Sequence, residues 1–117
     1  VANPQLEEGH LRIANDIWDA LCRIRIPGEV RQVIDTVLRK TWGFRKKQDW
    51  ISLSQFYEAT GIHKPNISRA LRQAINMNIV LKKEKAVLNN ENAPAVSYSF
   101  NKDYETWNPL SKRERSQ

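Results

Sequence analysis

A chain of 117 residues, 40% of them hydrophobic and four of them Trp, can build one cored domain, with or without tails. No apolar run is long enough for a transmembrane helix, no signal peptide is expected, and a lone cysteine, Cys22, excludes an internal disulfide and fits a reducing compartment. The net charge of +6 points to a polyanionic partner and is unevenly spread: residues 1–60 hold nine Lys or Arg against eight Asp or Glu, residues 61–117 ten against five.

Residues 1–9, with Pro4 and Gly9, read as a flexible arm, and Glu7 and Glu8 argue against its lying along DNA. From about Leu11 to Arg25, Ile13, Ala14, Ile17, Trp18, Leu21 and Ile24 make one helical face, suited to a core or to a dimer. Cys22, at the edge of that face, is expected to pack rather than react. Pro27-Gly28 breaks the chain and opens a second helix to about Trp42, with Val30, Val33, Ile34, Val37, Leu38 and Thr41 inward. Arg39 and Lys40 complement its C-terminal dipole, and Gly43 ends it. Phe44-Arg45-Lys46-Lys47-Gln48 is either a solvated loop or a phosphate clamp. Asp49-Trp50-Ile51 reads as a short strand.

Residues 52–80 read as a helix-turn-helix. Ser52 and Gln55 have capping-box spacing, and Gly61 suits the left-handed residue that closes a helix. The second helix runs from Lys64 to Asn76, with Pro65 tolerated in its first turn. Ile67, Ala70, Leu71, Ala74 and Ile75 form its apolar stripe. Arg69, Arg72, Gln73 and Asn76 project oppositely, as in any solvated helix, but with the chemistry of base readout: Arg can bond guanine O6 and N7 together, Asn or Gln adenine N6 and N7. Such a helix, after a capped helix and a short turn, is placed as a major-groove reader.

Extended character from Ile79 to Leu88, a turn-rich loop at 89–94 and period-two alternation in 95–100 predict a two-stranded wing. Lys82, Lys83 and Lys85 could reach phosphates or a minor groove, although edge lysines also discourage aggregation. Tyr104 and Trp107 are expected to pack back on the helices. Residues 108–117 resemble the start of a polar linker, and a chain opening on Val1 rather than Met is expected to be a fragment of something longer.

Catalytic signals are weak. Four glycines, none closely paired, make no phosphate loop, and Cys22, His10 and His63 have no metal-ligand spacing. The acidic residues are scattered, so neither an enzyme nor a cofactor is expected.

Three segments carry a family resemblance: Leu11-Arg12-Ile13-Ala14-Asn15-Asp16-Ile17-Trp18-Asp19-Ala20-Leu21-Cys22, Val37-Leu38-Arg39-Lys40-Thr41-Trp42-Gly43-Phe44 and Asp49-Trp50-Ile51-Ser52-Leu53-Ser54-Gln55. With Thr60-Gly61-Ile62, Asn66-Ile67-Ser68-Arg69-Ala70-Leu71 and Asn101-Lys102-Asp103-Tyr104 with Trp107, they resemble the N-terminal domain of bacteriophage replication protein O. The likeness covers about residues 10–107. It implies a winged helix that binds origin repeats (iterons) in double-stranded DNA as a dimer, in the host cytoplasm, and helps open adjacent AT-rich DNA. A C-terminal region absent from this chain would contact a helicase loader or helicase. The family pattern has Ser where His63 stands and a small polar residue in place of Pro65. Here the helix cap is lost or rebuilt, and Pro65 disfavours a helical Lys64.

The expected fold is therefore mainly α with a small β-wing, a winged helix-turn-helix domain over residues 10–107. Base reading is expected from Asn66, Arg69, Arg72 and Gln73. Phosphate positioning is expected from Lys46, Lys47, Lys64, Ser68, Lys82, Lys83 and Lys85. A winged-helix regulator at a promoter operator and a protein-interaction winged helix, docking through residues 11–25, are the alternatives.

Overall fold

Seven regular elements follow one another in the computed structural model, which describes residues 1–84 and 96–109: α1 (Asn15–Arg23), α2 (Gly28–Thr41), β1 (Gln48–Trp50), α3 (Leu53–Thr60), α4 (Lys64–Asn76), β2 (Val80–Glu84) and β3 (Val96–Phe100). Single 3-10 turns occupy Leu6–Glu8, Trp42–Phe44 and Tyr104–Thr106. The helix-turn-helix of α3 and α4, followed by the antiparallel pair β2 and β3, is the expected winged helix. β1 adds the third strand, so the antiparallel sheet runs β1-β3-β2.

The core forms around α2. Val30, Val33, Ile34, Val37, Leu38 and Thr41 are all at most 1% exposed. They recur at three- and four-residue spacing, so one side of the helix is apolar from end to end. Even the polar member is matched, since the Thr41 hydroxyl donates to the Val37 carbonyl at 2.7 Å. Against α2 pack α3, α4, β1 and β3. Their contributions include Phe56, Ile67, Ala74, Met77, Ile79, Val80 and Phe100, joined by Trp107 from the C-terminal segment. Edge-to-face aromatic contacts tie the sheet to its neighbours: Trp42 with Phe100 at 5.2 Å, Phe56 with Tyr98 at 5.5 Å, Phe100 with Trp107 at 5.7 Å.

α1 is shorter than the Leu11–Arg25 helix expected: Ala14 and Ile24, at its two ends, are both extended, and Pro27 biases Ile26 away from helix at the C-terminal side. Leu11, Ile13 and Ile24 still pack on the core, but from the extended segments beside the helix. Only Ile17, Ala20 and Leu21 of α1 are buried. Cys22 follows buried Leu21, about 100° round the helix, which corrects the packing expected of it; Trp18, likewise next to buried Ile17, stands outside the core, as a dimer face would have it. Trp18 is 47% exposed, with the Arg31 guanidinium 5.3 Å from its ring. Cys22 is exposed rather than packed. In the arm, the Leu6–Glu8 turn and Gly9-His10 line a cleft with Trp42, Gly43 and Arg45.

A polar clasp fixes how α4 hands over to β2. Asn78 adopts the left-handed conformation, φ 60°. Its N–H donates to the Ile75 carbonyl and that of Ile79 to the Ala74 carbonyl, at 2.9 and 3.2 Å. This is a Schellman closure with Asn in the position glycine usually takes. The Asn78 carbonyl accepts from the Asn101 side chain at 2.7 Å, and the Asn101 amide also donates to the Thr106 hydroxyl at 2.8 Å. The Trp107 indole N–H donates to the Asn101 carbonyl at 2.8 Å, and the Asn108 N–H to the Met77 carbonyl at 2.7 Å. The Asn101–Trp107 segment is thus the strap that seats Trp107 in the core.

Two stability predictions follow from these contacts. Asn78→Ala keeps a β-carbon in the left-handed region without the short polar side chain that lets Asn tolerate it, removes the donor to Thr106, and should cost about 2 kcal/mol of unfolding free energy. Asn78→Gly, which relieves the backbone, should cost about 1 kcal/mol; equal losses in urea titrations would show that handedness is not what matters. Tyr98 lies in the sheet against Phe56, and burial, with Glu84 nearby adding to it, raises its phenol pKa above the usual 10.0. Its unfolded form ionises first as pH rises, so stability held below pH 10 is lost above it until the folded phenol titrates. Tyr98→Phe should flatten that alkaline decline in thermal melts recorded across the range; an unchanged slope would place its origin elsewhere.

Candidate nucleic-acid interface

The helix-turn-helix is set by caps at both ends of α3. The Gln55 N–H donates to Ser52 Oγ at 3.2 Å, and the Ser52 N–H to Gln55 Oε1 at 2.8 Å, a complete capping box. At the other end Gly61 is left-handed, φ 73°, and its N–H reaches the Tyr57 carbonyl at 2.7 Å. The Thr60 hydroxyl accepts from the Ile62 N–H at 3.1 Å, and Ile62 is buried. The turn from Gly61 to His63 is therefore held by hydrogen bonds and by an apolar anchor.

α4 begins at Lys64, with Pro65 in its first turn. His63 is extended and its side chain makes no cap; its carbonyl instead accepts the N–H groups of Asn66 and Ile67 at 2.9 and 3.1 Å. Lys64 is helical although Pro65 follows it, so the bias that proline places on the preceding residue is overridden at this helix start. Pro65 also removes one of the N–H groups that the missing cap would have left unpaired. No acidic residue occupies this first turn. The helix dipole and Lys64 thus act with the same sign at this end.

Ile67, Ala70, Leu71 and Ala74 are buried, and Ile75 is half-buried. Opposite them Lys64, Ser68, Arg69, Arg72 and Asn76 are exposed, while Asn66 and Gln73 are half-buried at the margins. Among the described residues no carboxylate pairs with Arg69 or Arg72. Their donors are free to meet a ligand without first giving up a partner.

Sequence reading did not anticipate the link between Lys64 and α3: Lys64 Nζ donates to Ser54 Oγ at 3.0 Å. Ten residues separate the pair, so no local pattern marks it. It joins the starts of both helices into one polar edge, with the exposed Tyr57 one turn along α3 from Leu53.

The wing divides its lysines. Val80 lies opposite Phe100, Lys82 opposite Tyr98 and Glu84 opposite Val96, all on the face that continues the core. Leu81 and Lys83 take the other face, because successive strand residues alternate. Lys82 pairs with Glu84 at 3.2 Å, and Lys83 has no acidic partner among the described residues. Lys85, expected with them, lies outside the described residues.

Lys46 and Lys47 stand elsewhere. Gln48 pairs with Ser99 and Trp50 with Ser97, so the residues before β1 sit at the end of the sheet remote from the wing loop. Lys46 is 3.6 Å from Asp49. The proposed phosphate contacts thus form two groups, one spread over α4 and the wing and one at the far end of the sheet. Among the described residues no three His, Cys, Asp or Glu side chains are grouped to hold a metal, and no helix is long and apolar enough to cross a membrane.

Comparison with known proteins gives these elements a family. Residues 3–107 match the family model for bacteriophage replication protein O. The chain is 32% identical over 88 residues to DNA replication protein gp18 of Salmonella phage P22, covering 75% of this chain and 32% of that protein. It is 28% identical over 83 residues to replication protein 15 of Enterobacteria phage phi80, covering 71% and 28%. It is 29% identical over 75 residues to replication protein O of Escherichia phage lambda, covering 64% and 22%. The chain therefore spans about a third or less of these relatives' length. No solved structure matches it. Since the matched stretch takes in every element from the Leu6–Glu8 turn to Trp107, the chain belongs to the bacteriophage replication protein O family.

Proposed function

We propose that this domain recognises repeated sites in double-stranded DNA at a phage replication origin, and so takes part in initiating phage DNA replication. The observation that carries this is the outward face of α4, where Arg69 and Arg72 stand exposed and, among the described residues, without a carboxylate partner, on a helix whose first turn holds Lys64 and no acid. Family membership supplies the replication setting. α4 enters a major groove, Arg69 and Arg72 read guanines, and Asn66 and Gln73 contribute from the margins of the face. Each bidentate Arg contact is worth about 1–3 kcal/mol of discrimination. Lys64, Ser68, Lys82, Lys83 and Lys85 contact phosphate, which fixes register without reading sequence. Roughly palindromic repeats call for two copies on the DNA, and hence a homodimer. In a protein of the relatives' length, a helicase loader or helicase would be contacted by a region outside this domain. The domain works by binding in the host cytoplasm, with no catalytic step.

A competition titration at two salt concentrations tests the reading, with a duplex carrying a repeat from the phage's own origin against a scrambled duplex. The repeat should win by about a thousandfold, as specific sites commonly do, and Arg69→Ala or Arg72→Ala should erase most of that preference. Lys83→Ala should weaken both duplexes alike and lower the salt slope by about one. Equal binding of both duplexes by the unaltered chain would defeat the proposal.

A further inference from the structure

The Arg39-Lys40-Thr41-Trp42-Gly43-Phe44 segment, part of the stretch that matches the family, is not used by the α4 interface. Thr41 and Trp42 serve the core, through the Val37 carbonyl and the Phe100 ring. Arg39, Gly43 and Phe44 do not. Phe44 is 57% exposed, and the Arg39 guanidinium lies 5.0 Å from its ring centroid. Gly43 is what allows this, since a β-carbon there would come within 2.9 Å of Arg39 Nη1. Arg45 follows in the left-handed conformation, φ 58°, which few non-glycine residues adopt. Its N–H closes the turn on the Trp42 carbonyl at 3.0 Å. Lys46 and Lys47 continue the run, both exposed. Among the described residues, Arg39, Arg45 and Lys47 have no carboxylate partner.

We infer that this turn is a second nucleic-acid site, a stacking platform for single-stranded nucleic acid. An exposed aromatic ring backed by a guanidinium and followed by three cations is the chemistry with which proteins hold unpaired bases: the ring stacks a base and the cations follow the backbone. An intact duplex offers Phe44 no free base face, because its bases are already stacked on one another. Glu7 and Glu8 on the neighbouring arm disfavour a polyanion in the cleft itself, and this confines the strand to the outer side of the turn, along Phe44, Arg45 and Lys47. The register of β1 on β3 puts the platform at the opposite end of the sheet from the wing loop. A strand held there would leave the wing unobstructed.

Fluorescence anisotropy with labelled 15-mers of dT and U, and with the origin-repeat duplex, tests the site on the unaltered chain and on variants. Phe44→Ala should weaken 15-mer binding about tenfold or more, from loss of one stacked base. Gly43→Ala, which deletes no functional group and displaces only the end of Arg39, should weaken it to a smaller extent. Thermal melts of both should match the unaltered chain, since Phe44 is exposed and Arg39 can swing aside. Arg69→Ala should leave 15-mer binding unchanged, and Phe44→Ala should leave repeat binding unchanged. Failure of this inference and failure of the duplex reading are thereby told apart. Absence of 15-mer binding, binding indifferent to Phe44→Ala and simply screened by salt, or displacement of the strand by an acidic peptide at equal concentration would each overturn the site.

Discussion

Everything in this domain depends on the burial of one side of α2. Six of its residues are at most 1% exposed, and α3, α4, β1 and β3 all use that side as their floor. Full burial of a Val, Leu or Ile side chain is worth roughly 1.5–3 kcal/mol, an upper estimate because unfolded chains already hide some apolar surface. No other element offers such a surface. α3 contributes a single fully covered residue, Phe56, and β1 has none buried. The outward face of α4 can be entirely polar because its inward face, Ile67, Ala70, Leu71 and Ala74, is held on this floor.

Apolar burial sets which faces meet, but it tolerates sliding, and the clasp at Asn78 removes that freedom. The Asn78 and Asn101 side chains, the Thr106 hydroxyl and the Trp107 indole join the end of α4, the start of β2 and the end of β3 in one hydrogen-bonded group. A shift of β2 by one residue would break these bonds and turn Val80 out of the core. The wing is therefore indexed to α4 by polar groups rather than by packing alone.

How legible was this in the sequence? Ser52 and Gln55 at capping distance, Gly61 after a helical stretch, and the 67-70-71-74 stripe are local patterns with one physical reading, and the structure has them. Cys22 and Trp18 fall outside the core because a nine-residue helix on it needs only Ile17, Ala20 and Leu21, whereas periodicity alone allows a wider apolar stripe. The Lys64–Ser54 bond, the Arg39–Phe44 stack and the Asn78 clasp depend on tertiary approach or an uncommon backbone angle. Residue types alone do not announce either. The separation of Lys82 from Lys83 was readable from strand alternation, but only once the register on β3 was known.

The cations also sort by what already occupies them. Arg31 bonds Asp35 at 2.9 Å, Lys82 bonds Glu84 at 3.2 Å and Lys46 lies 3.6 Å from Asp49. Exposed pairs of this kind are worth little, commonly under about 1 kcal/mol, so a phosphate could displace the carboxylate at small cost. Yet each exchange returns an acid to the interface, where it repels the neighbouring phosphates. Among the described residues, Arg69, Arg72, Lys83, Arg39, Arg45 and Lys47 have no carboxylate partner and carry no such penalty. They fall into two sets, one on α4 and the wing, the other at the end of α2 and the turn before β1, and the strand register puts that turn at the opposite end of the sheet from the wing loop. In the function proposed above, a single straight duplex lying along α4 and the wing would engage the first set. The second set, clustered round an exposed aromatic ring, fits a ligand of different shape.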